Sequence, residues 1–350
     1  MLRVAVPGWP CQETALPAIL APVEEWLGRC RLCPRVCGAD RRSGPGGFCR
    51  QGAGIRAAWA GLHFGEEPPL TGSGGSGTIF FSGCTLKCRY CQNDQLSRRG
   101  LGRELSAGEL ARLMLALERE GAENVNLVTG SQFAPAIAEA ADQARRQGLA
   151  IPLLWNSSGY ECSSTLQLLA PWIDVYLPDC KTLDPELSRR FMGAPDYPQA
   201  AREALPAMAE ARPLRFAGER LRQGVIVRHL VLPGYLQSTR EVLAWFRERL
   251  YGRALLSVML QYTPNLRPAG SGAKSGLWAG SGQQGRVPER RVNDAEHRQV
   301  QAWLEDLGIE QGFIQEPEPD SDWLPDFTRR NPFPPAQARP VWHYTDARLP

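Results

Sequence analysis

The sequence predicts an α/β protein built on a parallel sheet, and three observations carry that prediction. From Gly77 onward, short runs rich in aliphatic and β-branched residues alternate with amphipathic helical patterns. Such alternation marks right-handed β-α-β crossovers, which build either an open sheet or a partial (β/α) barrel. Polar and glycine residues gather where each predicted strand stops, the end at which both arrangements bind ligands. Three cysteines, Cys84, Cys88 and Cys91, sit at Cys-x3-Cys-x2-Cys spacing on the loop after the first of those strands.

The chain of 350 residues suits one large domain with an appended module, or two domains. Its first stretch, 1–75, reads as a cysteine-rich module holding Cys30, Cys33, Cys37 and Cys49 among turn-forming Gly and Pro. The core is expected over 76–312. Its buried strands are predicted at 78–82, 125–129, 152–156, 174–177, 225–232 and 255–262, as short apolar runs too brief for helices. Helices are predicted at 106–120, 133–147, 163–169, 186–209, 238–250 and 294–307. The first opens on a capping box, Ser106 with Glu109, and lines Leu110, Leu113, Met114 and Leu117 along one face. Pro195, Pro198 and Pro206 are expected to break the helix at 186–209, and Asn293 caps the last one. The stretch 267–285, rich in Gly and Ser, reads as a mobile insertion. The tail, 313–350, is Pro-rich and expected to be extended or disordered unless Trp323, Phe327, Phe333 and Trp342 dock on the body.

A net charge of +3 is nearly neutral for this length and gives no reason to propose a nucleic-acid or anionic-membrane partner. Pro7 and Pro10 interrupt the start of the chain, and no apolar run reaches the roughly 18 residues of a membrane span. A cytoplasmic protein is expected. Ten cysteines in that reducing compartment argue for metal or redox work rather than disulfides.

Three thiolates on one short loop can hold an iron–sulfur cubane through three irons and leave the fourth open for chemistry. A structural zinc ion normally takes four protein ligands, and no fourth Cys or His lies close behind Cys91. Cys30, Cys33, Cys37 and Cys49 form a complete ligand set, so a cubane or a zinc ion would be fully ligated there, as a structural or electron-relaying site. His63 is a candidate ligand or proton carrier, although a lone loop histidine is more often neither. Cys11, Cys162 and Cys180 read as small buried hydrophobes.

The cysteine loop, with aromatic Tyr90 before its last Cys, resembles that of radical S-adenosylmethionine (SAM) enzymes. The longer strings Gly65-Glu66-Glu67-Pro68, Gly77-Thr78-Ile79-Phe80-Phe81, Cys91-Gln92-Asn93, Tyr176-Leu177-Pro178-Asp179 and Arg228-His229-Leu230-Val231-Leu232-Pro233-Gly234 are similar to one branch. That branch is the uncharacterised homologues of the pyruvate formate-lyase activating enzyme. The resemblance implies a partial (β/α)6 barrel and a [4Fe-4S] cluster on Cys84, Cys88 and Cys91 whose open iron is chelated by SAM. It further implies reductive cleavage of SAM to methionine and a 5′-deoxyadenosyl radical that abstracts hydrogen, with the electron coming from a flavodoxin- or ferredoxin-type donor. It places Tyr90 and Asn93 on the adenine side, Gly130 and Ser131 at the methionine amino group, and Asn156 and Ser158 near the ribose. Asp179, Lys181 and Arg228 match further family positions. Asn156 stands where the activating enzyme has a carboxylate, and Thr263 where it has a histidine. The substrate implied is a glycyl-radical partner protein; a small molecule or peptide is the alternative, and a non-catalytic metal-binding scaffold is a third reading.

Overall fold

The computed structural model describes residues 23–264, 287–316 and 324–350. Cys11, the Gly- and Ser-rich stretch 267–285, Pro317 and Trp323 lie outside these residues. Among the described residues there are eleven strands: β1 Ile55–His63, β2 Ser76–Phe81, β3 Arg103–Leu105, β4 Val125–Val128, β5 Leu153–Ser157, β6 Val175–Pro178, β7 Arg215–Ala217, β8 Arg220–Leu230, β9 Leu255–Met259, β10 Gly312–Gln315 and β11 Ala338–His343. They form one sheet in the order β10-β9-β8-β6-β5-β4-β2-β1-β11, with β3 beside β1 and β7 beside β8.

From β2 to β10 every pairing along this path is parallel. β1 then runs antiparallel to β2, and β11 antiparallel to β1. The sheet is open, with β10 and β11 as its edges, and its parallel part is a partial (β/α) barrel. Seven parallel strands are present where six were expected, because the short Gly312–Gln315 adds to β9. Six of the seven lie at or within a few residues of the predicted runs. They are buried almost throughout, as strands covered on both faces must be.

The helices follow from local chemistry. Ala107–Arg119 opens on the capping box of Ser106 and Glu109, and buries Leu110, Leu113, Met114 and Leu117. Asn293 with Glu296 makes a second capping box for Asp294–Asp306. The helix predicted at 186–209 is two helices, Pro185–Met192 and Tyr197–Ala211. The first ends on left-handed Gly193, whose missing Cβ makes that conformation cheap. Pro198 opens the second, as helix starts allow, but Pro206 does not break it: it lies inside a helix whose buried face outweighs the lost hydrogen bond.

Strands from all three sequence segments share the sheet. β1 comes from the cysteine-rich stretch and is buried along most of its length. β11 comes from the tail, which docks: Phe327 and Trp342 are fully buried. The chain therefore leaves one sheet edge at β10 and returns at the opposite edge as β11. Its described part, 324–337, forms a strap held by aromatic packing, with Phe80–Phe327 centroids 5.1 Å apart and Trp59–Phe333 centroids 5.4 Å apart. Among the described residues no helix is long and apolar enough to cross a membrane.

Candidate active site

The carboxyl ends of all seven parallel strands meet in one open cleft. Cys84, Cys88, Tyr90, Cys91 and Asn93 form one wall; Asn156, Ser158, Asp179, Lys181 and Arg228 line the floor. Ten of the twelve residues singled out for this site in the sequence thus face a common space. Gly130 and Ser131 do not line it. A Cβ at Gly130 would stand 2.7 Å from Ile137 and 2.9 Å from Trp155, so glycine there serves close packing. The Ser131 hydroxyl instead donates to Glu161 Oε1 at 2.6 Å. The neighbour that does line the cleft is Thr129, in a left-handed conformation (φ 61) that is costly for a β-branched residue.

The cysteine loop is shaped by residues that aim donors at sulfur. The Leu86 and Lys87 amides point at Cys84 Sγ at 3.3 and 3.4 Å, and the Ser97 hydroxyl donates to Cys91 Sγ at 3.4 Å. Such donors favour thiolate over thiol. Gly83 (φ 76) starts the loop, and the Gln132 amide anchors it by donating to the carbonyls of Ser82, Gly83 and Thr129. Burial, helped by the neighbouring Cys84 and Cys91, pushes the Cys88 thiol up to about 12, so this thiol loses its proton only when a bound cation replaces it. Three cysteines on a loop facing a cleft, two of them with sulfur-directed donors, fit an iron–sulfur group held at three corners.

The floor is a charge network. Lys181 Nζ lies 2.7 Å from Asp179 Oδ2; burial penalises its charge, but the carboxylate outweighs this and holds the ammonium well above its ordinary range. Tyr197 braces this corner, accepting the Lys181 amide at 2.9 Å and facing the Ser158 and Asp179 carbonyls at 2.9 Å. Arg228 is clamped by two carboxylates that sequence reasoning left without a role. Its Nε donates to Glu67 Oε1 at 2.8 Å, and its Nη2 reaches Glu66 and Glu67. Asn126 donates to Glu66 Oε1 at 3.0 Å. The signal for Glu66 and Glu67 was the string Gly65-Glu66-Glu67-Pro68, whose partner lies 161 residues away and was invisible locally. Three carboxylates (Glu66, Glu67, Asp179) face two cations (Lys181, Arg228), so the floor carries a net charge of −1, which suits a cationic sulfonium ligand.

His63 also lines the cleft, edge-on to Phe333 at 4.9 Å between centroids. Burial lowers its pKa, so it is neutral at pH 7, and its Nδ1 accepts the Gly65 amide at 3.2 Å, which leaves the proton on Nε2. Pro325, Phe333, Pro334 and Gln337 of the strap complete this side of the cleft. Gln95, in the short helix Asp94–Ser97 behind the cysteine loop, ties the strap down through Asp326 Oδ1 at 3.0 Å and the Phe327 amide at 2.6 Å. Thr263 is buried away from the cleft wall.

Cys30, Cys33, Cys37 and Cys49 line a second, smaller space together with Arg41, Phe48, Thr85 and Gln132. Cys162 lies near this group, and Cys180 is fully buried below the cleft floor, where burial pushes its thiol up to about 12.

Comparison with known proteins shows what these features are similar to. Residues 78–246 match the model of the radical SAM superfamily. The chain is 28% identical over 248 residues to the uncharacterized protein MJ0674 of Methanocaldococcus jannaschii, covering 68% of this chain and 67% of that one. Among solved structures it is similar to Streptococcus suis SuiB, at 15% identity and a TM-score of 0.45. That match covers 68% of this chain and 47% of SuiB, so the chain spans about half the length of that relative. It is also similar to a radical SAM methyltransferase from Sphaerobacter thermophilus, at 15% identity and a TM-score of 0.44, covering 68% of this chain and 65% of that one.

Proposed function

Because residues 78–246 match the radical SAM superfamily model, we propose that the cleft is a radical SAM active site whose substrate is a small molecule or a short peptide segment. Cys84, Cys88 and Cys91 would hold a [4Fe-4S] group which, with SAM beside it, would supply one-electron reductive cleavage and hydrogen abstraction. The chain's own residues bind, orient and exclude. Tyr90 and Asn93, on the cysteine-loop wall, are assigned to the adenine side on the family resemblance, and Asn156 and Ser158 line the floor beside Asp179 and Lys181. Arg228 has its charge already matched by Glu66 and Glu67, so its part is to fix the floor rather than to seize an anion. His63, neutral with its proton on Nε2, is a hydrogen-bond donor for a substrate group on the strap side.

The observation that carries the substrate class is the strap. Segment 324–337 walls the side on which an open sheet would otherwise admit another protein's loop, and Phe327 and Gln95 pin it. Activation of a glycyl-radical partner, the first substrate implied by the resemblance, needs a folded protein's loop to pass that wall. An oxidoreductase of a cytoplasmic compartment fits this reading.

The test is anaerobic reconstitution, reduction with dithionite and measurement of 5′-deoxyadenosine. Wild type is expected to form it, and Cys84→Ala to lose both its product, by at least about 100-fold, and about four iron atoms per chain. Equal product from both proteins would sink the reading. A stable glycyl signal on a partner protein would overturn the substrate class while leaving the cleft's chemistry intact.

A further inference from the structure

On the reading that Cys84, Cys88 and Cys91 hold an iron–sulfur cluster, we propose that Cys30, Cys33, Cys37 and Cys49 hold a second one. Its role is to be the port through which an acidic one-electron carrier protein delivers the reducing electron. Four observations carry this. The four thiols line one small space. Four cysteines can ligate zinc or a cubane, but zinc has no redox chemistry, so a group that passes an electron here is an iron–sulfur cluster.

The site is also built for negative charge. Arg41, only 1% exposed, donates to the Gln51 carbonyl at 3.1 Å and to that of Gly52, and its guanidinium lies 4.0 Å from Cys30 Sγ. Among the described residues no carboxylate pairs with it. A buried cation in that position is balanced when the thiols are thiolates bound to a metal group.

The second space abuts the first cysteine loop directly. Thr85, next to Cys84, and Gln132, which anchors that loop, are part of its wall. Arg35, two residues after Cys33, donates through Nε to the Thr85 carbonyl at 3.0 Å. One hydrogen bond therefore joins the chain that carries Cys33 to the chain that carries Cys84.

The outer face is basic. Residues 29–50 hold six arginines (29, 31, 35, 41, 42 and 50) against one aspartate, Asp40. Arg29, Arg31, Arg42 and Arg50 are exposed, as are Cys37 and Val36, the latter 57% exposed. A small apolar and sulfur-bearing patch inside a basic rim suits an acidic carrier of the flavodoxin or ferredoxin class. The step is one electron: the carrier is oxidised by one as the second cluster is reduced by one, and that cluster is reoxidised when the electron passes to the Cys84 site. No proton or atom moves with it.

The full chain is reconstituted anaerobically with iron, sulfide and zinc all present. About eight iron and eight sulfide per chain are expected, with about four of each left in Cys33→Ser/Cys49→Ser. One zinc with about four iron would overturn the second cluster and leave the active site standing. Full iron retention by Cys84→Ala would instead remove the active-site reading. Because cysteine variants can fail to fold, Arg31→Glu/Arg50→Glu supplies an independent arm, read by stopped-flow absorbance. Reduction by a reduced flavodoxin at low salt is expected to slow at least about tenfold with dithionite reduction unchanged, and unchanged flavodoxin rates would refute the port.

Discussion

Glu161 shows what a single residue contributes beneath the cleft. Its carboxyl is 3% exposed, accepts from Ser131 and from Trp155 Nε1 at 3.3 Å, and leaves Oε2 without a partner. Burial raises its pKa to about 7, against 4.5 for an ordinary glutamate. Because the folded state holds the proton more tightly than the unfolded chain, stability falls as pH rises from about 4.5 to 7, and the penalty is complete above 7. Its size is about 3 kcal/mol. Glu161→Gln, which mimics the protonated form, is expected to match wild type near pH 4.5 and to exceed it by about 3 kcal/mol at pH 8 in urea unfolding. A constant difference across pH would refute the assignment. At this level the thiols were legible in the sequence because ligand spacing on one loop is local. The placing of Gly130 and Ser131 was not, because a one-residue change in where β4 stops turns a side chain from the cleft into the core.

Among the elements, β1 and the strap are the instructive cases. β1 reads Ile55-Arg56-Ala57-Ala58-Trp59-Ala60-Gly61-Leu62-His63, with three alanines, a glycine and one β-branched residue, so neither propensity nor alternation announced a strand. It forms because β2 and β11 saturate both its edges. The tail's aromatics had been expected to matter only if they docked, and whether they did depended on a pocket formed by Trp59 and Phe80. Phe327→Ala is expected to cost about 3–4 kcal/mol, since the side chain is fully buried. It should also make 324–337 a site of rapid limited proteolysis in the otherwise folded protein. Resistance equal to wild type would mean that the strap is held by its hydrogen bonds to Gln95 alone.

In the molecule as a whole, the Arg228 clamp joins the loop after β1 to the eighth strand across the cleft floor. Glu67 is wholly buried in this pair. Burial opposes its charge, yet Arg228 beside it holds the carboxyl below the usual range. Glu67→Ala strands part of a buried cation and is expected to cost about 3 kcal/mol, because Glu66 still faces Arg228. A loss under about 1 kcal/mol in denaturant titration would show that the clamp is dispensable. The sequence by itself determined the alternating α/β order, the capped helices and the three-thiol loop at a strand end, since all of these depend on residues within a few positions of one another. Only the tertiary structure decided that β1, β10 and β11 join the sheet, that the tail crosses from edge to edge beside the cleft, and that Glu66 and Glu67 meet Arg228. Each of those outcomes rests on partners over a hundred residues apart or on edges that exist only after the sheet has formed, and no local pattern encodes them.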